Sequence, residues 1–133
     1  MKPRFRNWKV PKFNKHGMTR WQWMCQGIKG LKLGRNSDVG AFTYINAKHG
    51  VEIGEDVQIG SHCSIYSEST IDGKYGPIKI SKGAKVGSHT TIMPNVTIGE
   101  NSVVGAYSFV KNNVPKNSFA WGIPAKVIRR GKK

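Results

Sequence analysis

Aliphatic side chains recur along this chain at intervals of six. Leu33, Val39 and Ile45 form one run, Ile53, Ile59, Ile65 and Ile71 a second, and Ile80, Val86, Ile92, Ile98, Val104 and Val110 a third. The next residue is often glycine, as at Gly34, Gly40, Gly60, Gly87 and Gly105, and the fifth of each unit is usually small or β-branched, as at Thr43, Cys63, Ala84, Thr90 and Ser108. Neither the helical period of 3.6 nor the two-residue alternation of a strand gives this spacing. A six-residue unit with one large and one small inward position describes a short strand and a turn, with glycine where the backbone is crowded or takes positive φ. Stacked copies would pair each strand with those above and below it at about 4.8 Å. The pattern predicts an all-β solenoid over residues 33–115, between an arm over 1–32 and a segment over 116–133 that do not follow it.

Charge divides the chain in the same places. Of 133 residues, 22 are Lys or Arg and 7 Asp or Glu, a formal charge of +15. Residues 1–32 and 111–133 contain no acid, so the middle is nearly neutral and both ends are cationic. That distribution argues against a uniformly basic nucleic-acid binder and for a neutral scaffold with basic appendages. No apolar run approaches the roughly 20 residues needed to span a bilayer, and no signal-peptide core is recognisable. Cys25 and Cys63 have no CxxC spacing, so a reduced, cytoplasmic setting is expected.

The units VQIGSH, TTIMPN, VTIGEN and SVVGAY, with the ending WGIPAKVIRR, resemble the hexapeptide-repeat acyltransferases over residues 33–130. GSHTTIMPNVTIGENSVVGAYSFV is similar in detail to their sugar and antibiotic acetyltransferase branch. The resemblance implies a single-stranded left-handed parallel β-helix with three units per turn, here four to five coils. It also implies a homotrimer and an acyl-CoA site between neighbouring subunits. The expected activity is acetyl transfer from acetyl-CoA to a sugar hydroxyl or amino-sugar nitrogen, on a sugar or nucleotide-sugar acceptor for surface polysaccharide.

Two slips in the period mark where chain must bulge out of a stack. The step from Ile45 to Ile53 is eight residues, around Ala47–Gly50, and that from Ile71 to Ile80 is nine, around Asp72–Pro77. With three units per turn, the units of Ile45, Ile65, Val86 and Val104 are expected on one face, carrying His49, Glu68, His89 and Tyr107 as an active-site wall. Acetyl transfer to a hydroxyl needs a base, most often His. By resemblance a His ends the unit before the long loop, but here that unit is IYSEST and Thr70 stands in its place. His49, at the first slip, is the replacement base, and Glu68 could orient a His or recognise an acceptor amine. An amine acceptor would also relax the need for a base. Asn46 by analogy, Thr70, and Tyr75 beside Lys74 in the loop are candidate acceptor contacts. His62 and His89 follow Gly-Ser at a turn position and read first as solvated or trimer-lining turn residues.

For the acyl donor, Gly87, Ser88 and Ala106 offer small residues for the pantetheine arm. By resemblance, Lys111 or Asn112, Lys126 and Arg129 offer cations or polar groups toward the phosphates, with Arg130, Lys132 and Lys133 extending that surface. The N-terminal arm mixes Trp8, Phe5 and Phe13 with six basic residues among the first 15. It could cap the open end of the coil, contact an anionic membrane peripherally or bind RNA. Residues 19–30 fit a short helix capped by Thr19 or, from Trp21 and Trp23, a strand. Two rival readings are a non-catalytic polyanion-binding scaffold and a metalloenzyme similar to the γ-type carbonic anhydrases using His62 and His89, although the HGC pairing of the latter is missing.

Overall fold

The computed structural model describes residues 4–130, so Lys132 and Lys133 lie outside the described residues. Five coils stack along one axis. The first holds β1 (Met24–Gln26), β2 (Leu31–Leu33) and β3 (Asp38–Val39), with a 3-10 turn at Ile28–Gly30. The second holds β4 (Tyr44–Asn46), β5 (Val51–Ile53) and β6 (Gln58–Ile59). In the third, β7 (Ser64–Tyr66) is followed by an extruded hairpin, β8 (Glu68–Ser69) and β9 (Lys74–Tyr75), before β10 (Ile78–Ile80) and β11 (Lys85–Val86). The fourth is the plainest, with β12 (Thr91–Ile92), β13 (Thr97–Ile98) and β14 (Val103–Val104). The fifth holds β15 (Phe109–Val110) and β16 (Ser118–Gly122), and β17 (Ala125–Arg130) folds back antiparallel on β16.

Three parallel sheets form the faces of this prism. Face A aligns Cys25, Ile45, Ile65, Ile92 and Val110. Face B aligns Leu33, Ile53, Ile80 and Ile98, with Val114 bridged to Ile98. Face C aligns Val39, Ile59, Val86, Val104 and Ala120. The repeat's large positions thus become three inward columns, in which Ile45, Ile65, Ile80, Ile92 and Ile98 are fully buried. Each such side chain contributes about 1.5–3 kcal/mol by burial.

The small positions fill the corners, and at the C–A corner they also tie successive coils together. Thr43 Oγ1 donates to Gly60 O at 3.0 Å, Cys63 Sγ to Gly87 O at 3.3 Å and Thr90 Oγ1 to Gly105 O at 3.2 Å. Crowding explains the glycines that follow the large positions. A Cβ on Gly60 would lie 2.7 Å from Ser88 N, and one on Gly87 would lie 2.5 Å from Ala106 N, backbone of the next coil in both cases.

The register corrects the expected wall. Ile45 and Ile65 share face A with Ile92 and Val110, whereas Val86 and Val104 belong to face C, so His49 and Glu68 do not share a corner with His89 and Tyr107. Both slips fall at the A–B corner, where the chain takes eight residues from Ile45 to Ile53 and fifteen from Ile65 to Ile80. Ile71 keeps the six-residue spacing but is 96% exposed, because it sits in the extruded hairpin and not in the stack.

The ladder also passes the boundaries expected at residues 33 and 115. It begins at Met24, inside the arm, and ends with β16 and β17, inside the basic segment. No helix forms over residues 19–30 apart from the 3-10 turn. Instead Thr19 Oγ1 accepts from the N–H groups of Trp21 and Trp23, and this turn carries Trp23 into the core, 2% exposed. Phe13 packs edge-on against Trp23 at 5.3 Å, Trp8 Nε1 donates to Ser37 O at 2.8 Å, and Arg4 pairs with Asp38 at 3.0 Å. Through these contacts the arm lies against the first coil.

Candidate active site

The A–B corner gathers four of the expected residues. His49 follows β4 in the second coil, and the β8–β9 hairpin of the third coil brings Glu68 and Tyr75 over it, paired with each other in register. His49 Nε2 is 3.3 Å from Glu68 Oε1, and the same oxygen is 3.3 Å from Lys48 Nζ. The Tyr75 ring lies 4.9 Å from the imidazole, tilted by 33°. Asn46 Oδ1 accepts from Ser67 Oγ at 3.1 Å, and Ser67 Oγ accepts from the His49 backbone N–H at 2.9 Å. Asn95 Nδ2 donates to Tyr75 O at 2.9 Å, which anchors the hairpin to the fourth coil.

Hydrogen-bond chemistry assigns the imidazole's two nitrogens different tasks. A carboxylate accepts only, so Glu68 holds the proton on Nε2 and leaves Nδ1 with the lone pair. His49 and Glu68 are 32% and 24% exposed at their side chains, partly sheltered yet reachable. Lys48, Ser67 and Asn95 were not singled out in the sequence, although Lys48 and Ser67 adjoin His49 and Glu68 at the slips. Thr70 lies outside the cluster, exposed in the turn of the hairpin beyond Ser69.

A second constellation occupies the C–A corner. Gly87, Ser88 and Ala106 adjoin one another in successive coils, and beside them runs a column of rings. His62 stacks on His89 at 4.7 Å and 3°, and His89 on Tyr107 at 4.6 Å and 9°, with Phe42 tilted against His62 at 5.1 Å. All four take positive φ, between 58° and 65°. The B–C corner uses Asn36, Asp56, Gly83 and Asn101 for the same backbone turn, residue types that tolerate it. Bulky rings at such positions are costly, and strain of this kind concentrates at functional sites. The two imidazoles lie parallel, so they are stacked on each other and do not converge on a shared point.

The remaining cations separate. Lys126 is opposite Trp121 and Arg129 opposite Phe119 on the closing hairpin, the guanidinium 5.7 Å from the Phe119 ring centroid. Trp121 in turn covers Gly105, where a Cβ would lie 2.6 Å from its indole, so the hairpin adjoins the Gly87–Ala106 strip. Lys111 follows β15 at the A–B corner and is exposed there, with Asn112 next to it. The cations expected near the phosphates are therefore split between two edges of one chain.

Residues 77–112 match the family described as bacterial transferase hexapeptide (six repeats). Over these residues the six-residue period is the repeat of that family. Over 53 residues it is 51% identical to the galactoside O-acetyltransferase of Escherichia coli strain K12, covering 40% of this chain and 26% of the relative. The match spans less than a third of the length of each of the curated relatives it resembles. Among solved structures, the chain is similar to a hexapeptide-repeat acetyltransferase from Vibrio cholerae, with a TM-score of 0.78 and 27% identity over 84% of this chain and 68% of that one. It is also similar to a galactoside acetyltransferase in complex with coenzyme A, with a TM-score of 0.71 and 31% identity over 81% and 58% of the two chains. The fold is the left-handed parallel β-helix of these acetyltransferases. Among the described residues, no helix is long and apolar enough to cross a membrane.

Proposed function

We propose that this protein is an acetyl-CoA-dependent acetyltransferase whose acceptor binds at the A–B corner. The observation that carries the reading is the His49–Glu68 contact at 3.3 Å beneath the Tyr75 ring, a base and its orienting carboxylate in an accessible site. The acceptor is a sugar hydroxyl or amino-sugar nitrogen of a surface polysaccharide or its nucleotide-sugar precursor, and the setting is cytoplasmic. Tyr75 offers a ring to a sugar face, the amide nitrogen of Asn46 offers a donor, and Thr70 and Lys74 line the approach along the hairpin.

The acyl donor fits the C–A corner on physical grounds. Gly87 and Gly105 leave the backbone uncovered, Ser88 and Ala106 add little bulk, and Lys126 and Arg129 on the adjoining hairpin supply cations for phosphates. The donor brings the activated thioester. His49 Nδ1 takes the acceptor's proton as its oxygen or nitrogen bonds to the acetyl carbon, Glu68 stabilises the imidazolium, and the proton then goes to the departing thiolate as the C–S bond breaks. Backbone N–H groups of the cleft stabilise the oxyanion. His49 and the Gly87–Ala106 strip lie on different edges of one chain, so a homotrimer would complete the site by setting one subunit's A–B corner against its neighbour's C–A corner, with Lys111 near the junction.

Titration calorimetry with acetyl-CoA and mass spectrometry of acetylated amino-sugar and sugar acceptors test this directly. Donor binding with acceptor acetylation that drops at least 100-fold in His49→Ala supports it. Absence of acetyl-CoA binding would leave the repeat as a non-catalytic scaffold, and full activity in His49→Ala would remove that residue from the role of base.

A further inference from the structure

The N-terminal end of the solenoid has a surface unlike its walls. Arg6, Lys9, Lys12, Lys15 and Arg20 of the arm and Lys29 of the first coil are all exposed. The sequence has no acid before Asp38, whose carboxylate is already paired with Arg4. Interleaved with these cations are exposed apolar side chains, Val10 at 63%, Trp21 at 50% and Ile28 at 41%. Arg20 lies 5.4 Å from the Trp21 ring centroid. Between the arm and the first coil opens a groove of about 640 Å³ whose lining includes Phe5, Trp8, Trp21 and Trp23 together with Lys9 and Arg20.

Uniform positive charge with exposed Trp and aliphatic tips is the chemistry of a headgroup interface, where cations meet lipid phosphates and the indole enters the acyl boundary. Nucleic acid would be served by the charges alone and gives no reason for Val10 and Ile28 to stand exposed among them. We propose that the N-terminal end of this solenoid docks on an anionic lipid bilayer through Trp21, Val10 and Ile28 and the surrounding Lys and Arg side chains. The coil spacing then sets the height of the A–B corner. His49 belongs to the second coil and Glu68 and Tyr75 to the third, about 5–10 Å above the first. This docking does not depend on the proposed activity, because its readout is lipid binding alone.

Co-sedimentation of the full chain with vesicles tests it. Binding is expected to vesicles of 30% phosphatidylglycerol in phosphatidylcholine and not to phosphatidylcholine alone, with part of it persisting in 0.5 M NaCl. Trp21→Ala should abolish the salt-resistant part, K9Q/K12Q/K15Q/R20Q should weaken binding at least 10-fold, and K126Q/R129Q at the opposite end should leave it unchanged. Brominated lipid should quench indole fluorescence in the wild type and much less in Trp21→Phe. The proposal is overturned if the protein does not sediment, if K126Q/R129Q is the variant that loses binding, or if salt removes all binding while Trp21→Ala behaves as wild type. The last result would assign the charge to a soluble polyanion such as RNA.

Discussion

Glu68 Oε1 meets both His49 Nε2 and Lys48 Nζ at 3.3 Å, so one carboxylate oxygen from the third coil ties down two neighbours from the second. Losing it would free the imidazole to turn and leave Lys48 without this partner. Glu68→Ala should lower kcat about 10-fold or more with little change in acceptor KM, and His49→Ala should lower it by about 10²–10⁴. Steady-state kinetics on both variants check this, and an unchanged kcat in Glu68→Ala would dissociate the carboxylate from His49's role.

The ring column at the C–A corner makes a separate, thermodynamic prediction. His62 sits at φ 58° with His89 stacked on it. Asn accepts that backbone but gives up the ring contacts with His89 and Phe42 and the Nδ1 contact with Ser61 Oγ, about 0.5–1.5 kcal/mol for each, whereas a β-branched residue gives up the same contacts and adds backbone strain of about 1–3 kcal/mol. Urea denaturation should therefore rank wild type above His62→Asn, and His62→Asn well above His62→Val. Equal midpoints for the two variants would mean that the positive φ carries no strain there.

Two glycines next to the repeat's large positions should respond differently to the same methyl group. On Gly60 it would meet the backbone of Ser88, which the ladder holds in place, and on Gly105 it would meet the exposed side chain of Trp121, which can swing away. Gly60→Ala should lose about 1–3 kcal/mol and Gly105→Ala clearly less, measured by chemical unfolding. The reverse order would contradict the assignment of crowding to the coil-to-coil contact.

Burial pushes the Cys25 thiol up from 9.0 to about 11 and raises that of Cys63 as well. The native state holds these protons more tightly than the unfolded chain, so their contribution to stability is complete below about pH 9 and declines as the pH rises toward 11. Thermal melts at pH 8 to 11 should show a steeper decline in Tm for the wild type than for Cys25→Ala. Both thiols should also react slowly with Ellman's reagent until the protein unfolds, since Cys25 is 2% and Cys63 1% exposed.

The solenoid is legible in the sequence because its inward positions repeat at a period that no helix or simple strand shares. Its phase is harder to read. Ile71 keeps the spacing yet points to solvent, and only the pairing of Ile65 with Ile92 reveals that a whole loop intervenes. Cys25 stacks beneath Ile45 as the first member of face A, but a cysteine outside the aliphatic run carries no repeat signal. The corner residues fared unevenly for the same reason. His49 and Tyr75 stand at slips, which mark themselves, and Glu68 was expected beside His49, but the hairpin that brings Tyr75 over both has no signal in the period. Assignment of His89 and Tyr107 to another edge depended on counting every residue of the loop. The closing hairpin departs from the period altogether, since β17 runs antiparallel.

The two ends of the ladder also bear on solubility. A stack of in-register parallel strands is the geometry by which identical chains add to one another without limit, each terminal coil serving as template for the next. At the first coil the arm brings Trp8 onto Ser37 and Trp23 under the core, and at the fifth β17 pairs with β16 in the opposite direction. Both devices interrupt templating, so these least repetitive parts of the chain are what keep five coils from becoming the seed of a fibre.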